Sequence, residues 1–275
     1  MNQLYTIFVQ YTTEQTESAL IHLNKLERIL NPIGASERII TDNFLPNGTS
    51  IIFDSQVIYG GDNTYMEFSG WQIGLEKLLS KVKINDQDVI LIANDSFHRN
   101  YSPDWIEGFK AKHFQLASKK KYLIGWSDQF IDPISLMGNE RKGWIRSNCF
   151  LINYGLLRQI LPFFIEQKPD SIFTRENNSF FKENSSLPFK YREYLKVWLF
   201  GEKSAHLNFY NQWYKSETLN ENNFDFFARK AFSIICEHAF SFRAIDAGGK
   251  LLSINPKKRL SLIKRIKIKL KSYFS

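Results

Sequence analysis

The stretch DVILIANDS, at residues 88–96, decides the predicted fold. Its apolar run VILIA is rich in β-branched residues and too short for a typical helix, which predicts a strand buried on both faces. Asn94, Asp95 and Ser96 follow where that strand ends. Open α/β sheets bind ligands at the carboxyl ends of their strands, so these oxygens could bind a divalent cation or a ribose. The alternative is an Asx turn that simply closes the strand.

A polar turn and a helix precede this strand. Residues 59–63 read YGGDN, which favours a turn. Apolar side chains then recur at helical spacing at Phe68, Trp71, Leu75, Leu78 and Leu79. The turn therefore leads into an amphipathic helix.

Strands and helices alternate along the first half of the chain. Strands are predicted at 5–11, 37–41 and 50–57, and an amphipathic helix at 16–30. Further helices are predicted at 104–116, 154–165, 189–200 and 224–242. This alternation predicts an α/β fold with a mainly parallel sheet flanked by helices.

The order of polar turn, helix and Asn-Asp-Ser strand end resembles bacterial glycosyltransferases with the GT-A nucleotide-sugar-binding fold, especially relatives of rhamnan-synthesis proteins that build surface polysaccharides. The matching positions are Asp62-Asn63, Phe68-Ser69-Gly70-Trp71, Gly74-Leu75 and Asn94-Asp95-Ser96. The resemblance implies a hexosyltransferase-type enzyme. Such an enzyme would move a sugar from a nucleotide-sugar donor to a glycan or lipid-linked acceptor in capsule or lipopolysaccharide synthesis.

The resemblance also implies a donor site. Asp62 and Asn63 would contact the nucleoside or the sugar, and the exit of the first strand would touch the base. Arg146 could bind a diphosphate. The expected donor-binding residues are Gln10, Tyr11, Thr12, Asp62, Asn63, Trp71, Asn94, Ser96 and Arg146.

A metal is implied beside this donor site. The family's metal motif is usually Asp-any-Asp, and Asn94 occupies the place of its first carboxylate. Binding of Mg²⁺ or Mn²⁺ would therefore depend on Asp95, with neutral oxygens nearby.

Glu237 is the first candidate for a catalytic base. It lies among apolar residues of the helix predicted at 224–242, and a buried acid needs a partner or a chemical role. The resembled family has a similarly placed Glu, with a Ser and a Gly after it. An inverting transferase uses such a carboxylate to take the proton of the acceptor hydroxyl. The alternative is a surface ion pair with Lys230 or Arg243.

Residues 126–147 show no convincing period and are predicted to form a long irregular loop, of the kind that is often functional. In the resembled family this region helps to form the acceptor pocket. Asp128, within it, is the second candidate base. Trp126 or Trp144 could stack on a sugar ring, or simply pack in the core. His238 is expected to be a hydrogen-bonded core residue, because no second His or Cys lies at zinc spacing.

The net positive charge of the chain comes from its last residues. Residues 257–275 contain eight Lys or Arg and no acid, so without them the net charge of +8 becomes 8 − 8 = 0. As a helix, this tail would present an apolar stripe flanked by cations, which suits an anionic membrane surface. A helix packed on the body or on a partner, an edge strand and a nucleic-acid-binding arm are the alternatives, and nucleic acid is the least favoured.

Composition predicts the compartment. The N-terminus lacks the features of a signal peptide, and no apolar run approaches the roughly 18 residues that span a bilayer. Cys149 and Cys236 lie in apolar settings and are expected to be buried free thiols. The expected location is cytoplasmic, peripheral at the inner face of the membrane.

These features predict a glycosyltransferase-like domain at 1–256, with a donor-nucleotide half at 1–125 and an acceptor half at 126–256, followed by the basic tail at 257–275. A rival reading is a non-catalytic membrane- or nucleic-acid-binding module on a degenerate sugar-nucleotide fold. A nucleotidyltransferase would normally carry a Gly-rich basic loop after its first strand, and none is visible at 11–18.

Overall fold

A computed structural model gives the fold of most of the chain. It describes residues 2–11, 13–53, 56–97, 103–175, 179–207 and 212–255, without the side chains of 13–16 and 103–105. Thr12 and the basic tail at 257–275 lie outside the described residues. What the sequence predicts for them stays a prediction.

Eight strands form one sheet in the described residues. The strands are β1 (Leu4–Gln10), β2 (Glu37–Asp42), β3 (Ser50–Phe53), β4 (Gln56–Gly60), β5 (Val89–Asn94), β6 (Tyr122–Leu136), β7 (Asn139–Asn153) and β8 (Lys250–Ser253). Their order is β3-β4-β2-β1-β5-β7-β6-β8. Only β3 and β7, of these eight, run against the others, so the sheet is mainly parallel. The predicted α/β fold class is confirmed.

Helices cover both faces of the sheet. The α-helices of the described residues are α1 (Thr13–Leu30), α2 (Glu67–Lys81), α3 (Ala111–Ala117), α4 (Tyr154–Ile160), α5 (Phe189–Phe200) and α6 (Phe224–Asp246). One apolar core includes residues of α2, α4, α5 and α6, and the other includes residues of α1 and α3. Ile90 and Ile92 face the first core, and Leu91 and Ala93 face the second. The strand within DVILIANDS is therefore buried on both faces, as predicted.

Two glycines let α2 approach the sheet closely. A Cβ atom built on Gly74 would lie 2.5 Å from Ile7 Cγ2, and one built on Gly70 would lie 2.5 Å from Asn43 Oδ1. Any larger residue at these positions would push the helix away from β1. The helix carries Glu67 at its first turn, so this spacing also fixes where that carboxylate lies.

We expect Gly74→Ala to lower the free energy of unfolding. The added methyl group overpacks the contact with Ile7, which typically costs about 1 to 3 kcal/mol, whereas the gain in helix propensity is about 1 kcal/mol. Urea denaturation measures the difference, with Ser80→Ala at an exposed position of the same helix as the control. A Gly74→Ala protein as stable as this control would show that α2 can shift at no cost.

The predicted loop at 126–147 is wrong, because these residues form most of the long hairpin β6–β7. The register of the hairpin shifts twice, and these shifts hide the two-residue period of a strand. At the first shift, residues 146–149 of β7 stand opposite Trp126 alone. We call residues 146–149 the β7 bulge. The predicted division of the chain after residue 125 falls inside β6, and the sheet continues across it.

Two smaller predictions also need correction. Residues 50–57 form parts of two strands, β3 and β4, rather than one strand. The helix predicted at 104–116 is split into a 3-10 turn at Pro103–Gly108 and helix α3. The break follows from packing, because a Cβ atom on Gly108 would lie 2.6 Å from the carbonyl oxygen of Ile254.

Two other expectations can be compared with the described residues. Cys149 and Cys236 are both buried free thiols, as predicted, and burial raises their pKa values, that of Cys236 to about 12. No helix in the described parts of the chain has the length and apolar character to cross a bilayer.

Candidate functional site

The exits of the parallel strands meet at one edge of the sheet. Tyr11, which follows β1, donates its backbone N–H to Asp95 Oδ2 at 2.9 Å, so the β1 exit lies beside the Asn-Asp-Ser triplet, as predicted. Asn43, which follows β2, donates its side-chain amide to the carbonyl oxygen of Met66 at 2.8 Å. The start of α2 therefore lies at the same edge. These contacts define the candidate site.

Glu67 is a buried acid of this site that the sequence reasoning missed. Its Oε1 accepts hydrogen bonds from Ser147 Oγ at 2.9 Å and Ser233 Oγ at 3.4 Å, and its Oε2 accepts one from the Tyr11 hydroxyl at 3.4 Å. The sequence carries little signal for this role, because an acid in the first turn of a helix is common for its interaction with the helix dipole.

Glu237 lies on the other side of Ser147. Trp144 Nε1 donates to Glu237 Oε1 at 2.9 Å, and the backbone N–H of Ser147 donates to Oε2 at 2.6 Å. Both of these groups can only donate, so each carboxylate oxygen faces a donor. This arrangement fits the ionised form of Glu237. As a whole residue, Glu237 is only partly buried.

The alternative ion pair of Glu237 does not form among the described residues. Arg243 instead donates to the carbonyl oxygen of Phe163 at 3.2 Å, and the ammonium group of Lys230 lies over the ring of Trp213. Glu237 is thus held by neutral donors. A carboxylate held in this way keeps its capacity to accept a proton.

Burial raises the pKa of Glu237 above its ordinary value. The hydrogen bonds from Ser147 and the charge of Lys230 act in the opposite direction, and the charge of Glu67 raises the pKa further. A raised carboxyl pKa lies closer to the operating pH of most enzymes, which is where a general base works best. The geometry and the pKa direction together make Glu237 the stronger of the two predicted candidates for a base.

The raised pKa predicts a measurable dependence of stability on pH. The folded protein holds the Glu237 proton more tightly than the unfolded chain, so its contribution to the free energy of unfolding falls as pH rises from 4.5 to the raised pKa. The Glu237→Gln variant lacks this titration. We expect the stability of the wild type minus that of the variant to fall by at most about 1.4 kcal/mol per pH unit across this window.

Urea titrations of both proteins at several pH values measure this difference. It should become constant once the pH exceeds the raised pKa. A difference that instead rises with pH below 4.5 and stays constant above it would mean that the folded protein lowers the pKa of Glu237.

A cavity of about 10 Å³ borders Glu237 and Ser147. Its other lining residues are apolar, namely Phe68, Leu123, Ile145, Phe150 and Phe240. This volume holds about one water molecule and is far too small for a sugar. The cavity itself is therefore not a substrate pocket.

Asp128 and Arg146 form an ion pair at the β7 bulge. Arg146 Nε lies 2.6 Å from Asp128 Oδ2, and both side chains are partly exposed. The pair joins the two strands of the hairpin, and Arg146 directly precedes Ser147, which bonds Glu237. Asp128 is a weaker candidate for the base, because a guanidinium already occupies its carboxylate.

The aromatic residues of the hairpin pack in the core. Trp144 is buried, and its ring lies 4.4 Å from that of Phe130 and 4.3 Å from that of His238, between ring centres. Trp126 is partly buried against the second core. His238 is buried and lies 2.7 Å from the Tyr191 hydroxyl through Nδ1, and burial lowers its pKa to about 3. It is a hydrogen-bonded core histidine, as predicted.

Two of the predicted donor-binding residues lie inside the protein. Trp71 is fully buried and donates through Nε1 to the carbonyl oxygen of Ala93 at 3.2 Å, so its predicted contact with a donor is wrong. This aromatic side chain fills the core beneath the site. Gln10 is also fully buried and donates to Asp42 Oδ2 at 2.8 Å.

The two polar turns lie in the loops at the candidate site. Asp62 and Asn63 have left-handed backbones, with φ of 57° and 53°, and Asp62 Oδ1 accepts the backbone N–H of Thr64. Asn94 Oδ1 accepts both the N–H and the hydroxyl of Ser96. The Asx turn, which was the alternative to a ligand site, is therefore present. Asp95 is buried beside it.

The described residues gather no group of three His, Cys, Asp or Glu side chains around a possible metal position. Asp95 is the carboxylate on which metal binding is predicted to depend, and it already accepts the backbone N–H of Tyr11. Protein side chains of the described part thus form no closed metal cage. A metal bound here would share its coordination with a ligand such as a diphosphate.

Comparisons with known proteins assign no family to this chain. No protein-family profile matches it. No curated protein matches it either. Among solved structures it is similar to the crystal structure of 4-diphosphocytidyl-2C-methyl-D-erythritol synthase, with a TM-score of 0.36 and 15% identity over 58% of this chain and 79% of that chain. A similarity of this size carries no argument about activity, so the chemistry of the site is inferred from its own residues.

Proposed function

We propose that this protein is a glycosyltransferase that moves a sugar from a nucleotide-sugar donor to a glycan or lipid-linked acceptor of bacterial surface polysaccharide. The observation that carries the proposal is the setting of Glu237. Its two oxygens face donors from Trp144 and Ser147, and burial raises its pKa. A carboxylate held in this way can take the proton of an acceptor hydroxyl as the glycosidic bond forms.

The donor would bind along the exits of β1, β4 and β5. Asp62 and Asn63 would contact its nucleoside or sugar, and Asp95 would lie near its diphosphate. Mg²⁺ or Mn²⁺ commonly binds one or two carboxylates together with substrate phosphates, so Asp95 and the donor could share such an ion. When bound, the ion would neutralise charge on the leaving diphosphate.

The acceptor side would lie at the β7 bulge and α6. There Glu237 would meet the acceptor hydroxyl, and the Arg146–Asp128 ion pair would border the same space. The basic tail at 257–275 would hold the enzyme at the inner face of the membrane, where a lipid-linked acceptor is found. We expect a cytoplasmic, peripheral membrane protein that does not bind nucleic acid.

Thermal unfolding of the purified protein tests the donor. We would measure the midpoint with a panel of nucleoside diphosphates and nucleotide sugars, each with and without Mn²⁺. A ligand present at one hundred times its dissociation constant adds about 2.7 kcal/mol to stability, so one nucleotide series should raise the midpoint by several degrees. Release of free nucleoside diphosphate from that donor then gives an activity assay without a known acceptor.

A non-catalytic module is the second candidate, because the Asn94 side chain closes a turn instead of presenting a carboxylate. This candidate predicts no stabilisation by any nucleotide, but binding to anionic vesicles through the tail. The same panel separates the two candidates, and vesicle sedimentation then tests the tail, which both candidates expect to bind a membrane.

A further inference from the structure

Asn148 is a buried polar residue whose side chain has no hydrogen-bond partner within the described part of the chain. It lies in the β7 bulge, next to Ser147, and is 7% exposed. This holds for both Nδ2 and Oδ1, and both atoms are closed off from solvent. Buried amide groups are nearly always hydrogen-bonded, because a buried donor or acceptor without a partner has lost the hydrogen bonds that water would give it.

The position of Asn148 connects it to the candidate site. Cys149, the next residue, forms the last pair of β7 with β5, opposite Ala93, so Asn148 lies beside the exit of β5. On its other side, Ser147 bonds both Glu67 and Glu237. Bulges often occur next to active sites, where they reorient a side chain. The unpartnered amide thus lies beside the exit of β5, where the donor is proposed to bind.

The unpaired donor and acceptor of the Asn148 side chain indicate which chemical groups a ligand would need. Nδ2 needs an acceptor and Oδ1 needs a donor. An ionised phosphate offers only acceptors and an ammonium group only donors, so either one would leave half of the amide unsatisfied. Two neighbouring hydroxyl groups supply both, because each hydroxyl can donate or accept.

We propose that Asn148 is a binding residue for a vicinal diol of a sugar, placed beside the exit of β5 by the β7 bulge. The inference rests on the proposed function for the source of that diol, which is the donor sugar or the ribose of the nucleotide. Because both amide atoms are closed off from solvent, the diol must displace a neighbouring side chain to reach them. The unpaired amide then lowers the stability of the free protein and raises its affinity for the diol.

Asn148→Leu tests this inference. Leu has a similar shape and no polar atoms, so the free variant should be at least as stable as the wild type. Its affinity for the sugar ligand should fall at least tenfold. Thr6→Val is the matched control, because Thr6 Oγ1 is also buried and unpartnered but lies in the middle of β1. The control should leave binding unchanged. Asn148→Ala serves in the same assay if the Leu variant does not fold.

The assay follows the thermal midpoint of the full chain with nucleoside diphosphates, nucleotide sugars and free monosaccharides. Loss of the shift with nucleotide sugars alone supports the inference and identifies the donor sugar, whereas loss of the nucleoside diphosphate shift as well identifies the ribose. A shift that only free monosaccharides produce, and that Asn148→Leu removes, supports the inference but contradicts the proposed function.

Two results would overturn the inference. If nucleotide sugars stabilise the wild type and Asn148→Leu equally, the proposed function stands and Asn148 is only a buried amide. If neither nucleotides nor free sugars stabilise the wild type, the inference and the proposed function both fail.

Discussion

The Glu237→Gln variant is expected to lose at least a hundredfold in the rate of sugar transfer while it still binds the donor. Removal of a general base usually lowers the rate by about 10² to 10⁴. The amide cannot take the acceptor proton, whereas the donor site proposed at the strand exits does not include this carboxylate. Donor turnover and the donor-induced thermal shift measure the two properties separately. Glu76→Gln, at an exposed position of α2, is the control.

The fold of this variant needs its own test, because its amide group cannot match both donors. The Gln side chain has one acceptor oxygen, so its NH₂ group would face either Trp144 Nε1 or the N–H of Ser147. This conflict typically costs about 1 to 3 kcal/mol. The double variant Trp144→Phe/Glu237→Gln removes one donor, so the Gln substitution should cost less in the Trp144→Phe background than in the wild type.

The double variant should therefore separate fold from catalysis. It should fold and stay inactive if Glu237 is the base. Full activity in either Glu237→Gln protein would exclude Glu237 from that role, and Asp128→Asn would then be the next variant to measure.

The second large effect is expected at Asp95. Asp95→Asn keeps an oxygen that can accept the N–H of Tyr11 at 2.9 Å, so the fold should be retained. It removes the charge that would hold a metal beside the donor diphosphate. We expect transfer to fall at least a hundredfold, with a loss of any Mn²⁺-dependent part of the thermal shift.

Comparison with Asp95→Ala separates the two roles of this carboxylate. The Ala variant leaves the N–H of Tyr11 without an acceptor and should lose stability as well as activity. Asp86→Asn is the control, because Asp86 precedes β5 and lies at the opposite end of that strand. A folded Asp95→Ala protein with full transferase activity would contradict the proposed function.

Local patterns were sufficient for most of the secondary structure. The VILIA run predicted a doubly buried strand, and apolar spacing predicted the helices at 189–200 and 224–242. A charge-free run and a 3.6-residue period are properties of neighbouring residues, so they can be read before the fold is known. Residues 126–147, the middle of the hairpin β6–β7, were predicted as a loop because two shifts in pairing register erase their period, and pairing is not a local property.

In the candidate site, too, some features could be predicted from the sequence and others could not. Glu237, Asp95 and the exit of β1 could be chosen from the sequence alone, because an acid among apolar residues and polar residues at a strand end are local signals. The hydrogen-bond partners of Glu237 could not be predicted from the sequence. Ser147 is separated from Glu67 by 80 residues and from Glu237 by 90, and only the β7 bulge places it between them.

The sequence by itself determined the fold class, the order of most elements and a short set of candidate acids. Tertiary structure alone decided that Trp71 is in the core, that Arg146 pairs with Asp128, and that Glu67 shares Ser147 with Glu237. The physical reason is that burial and hydrogen bonding between distant residues depend on how the sheet is paired and covered. That pairing is a property of the whole chain.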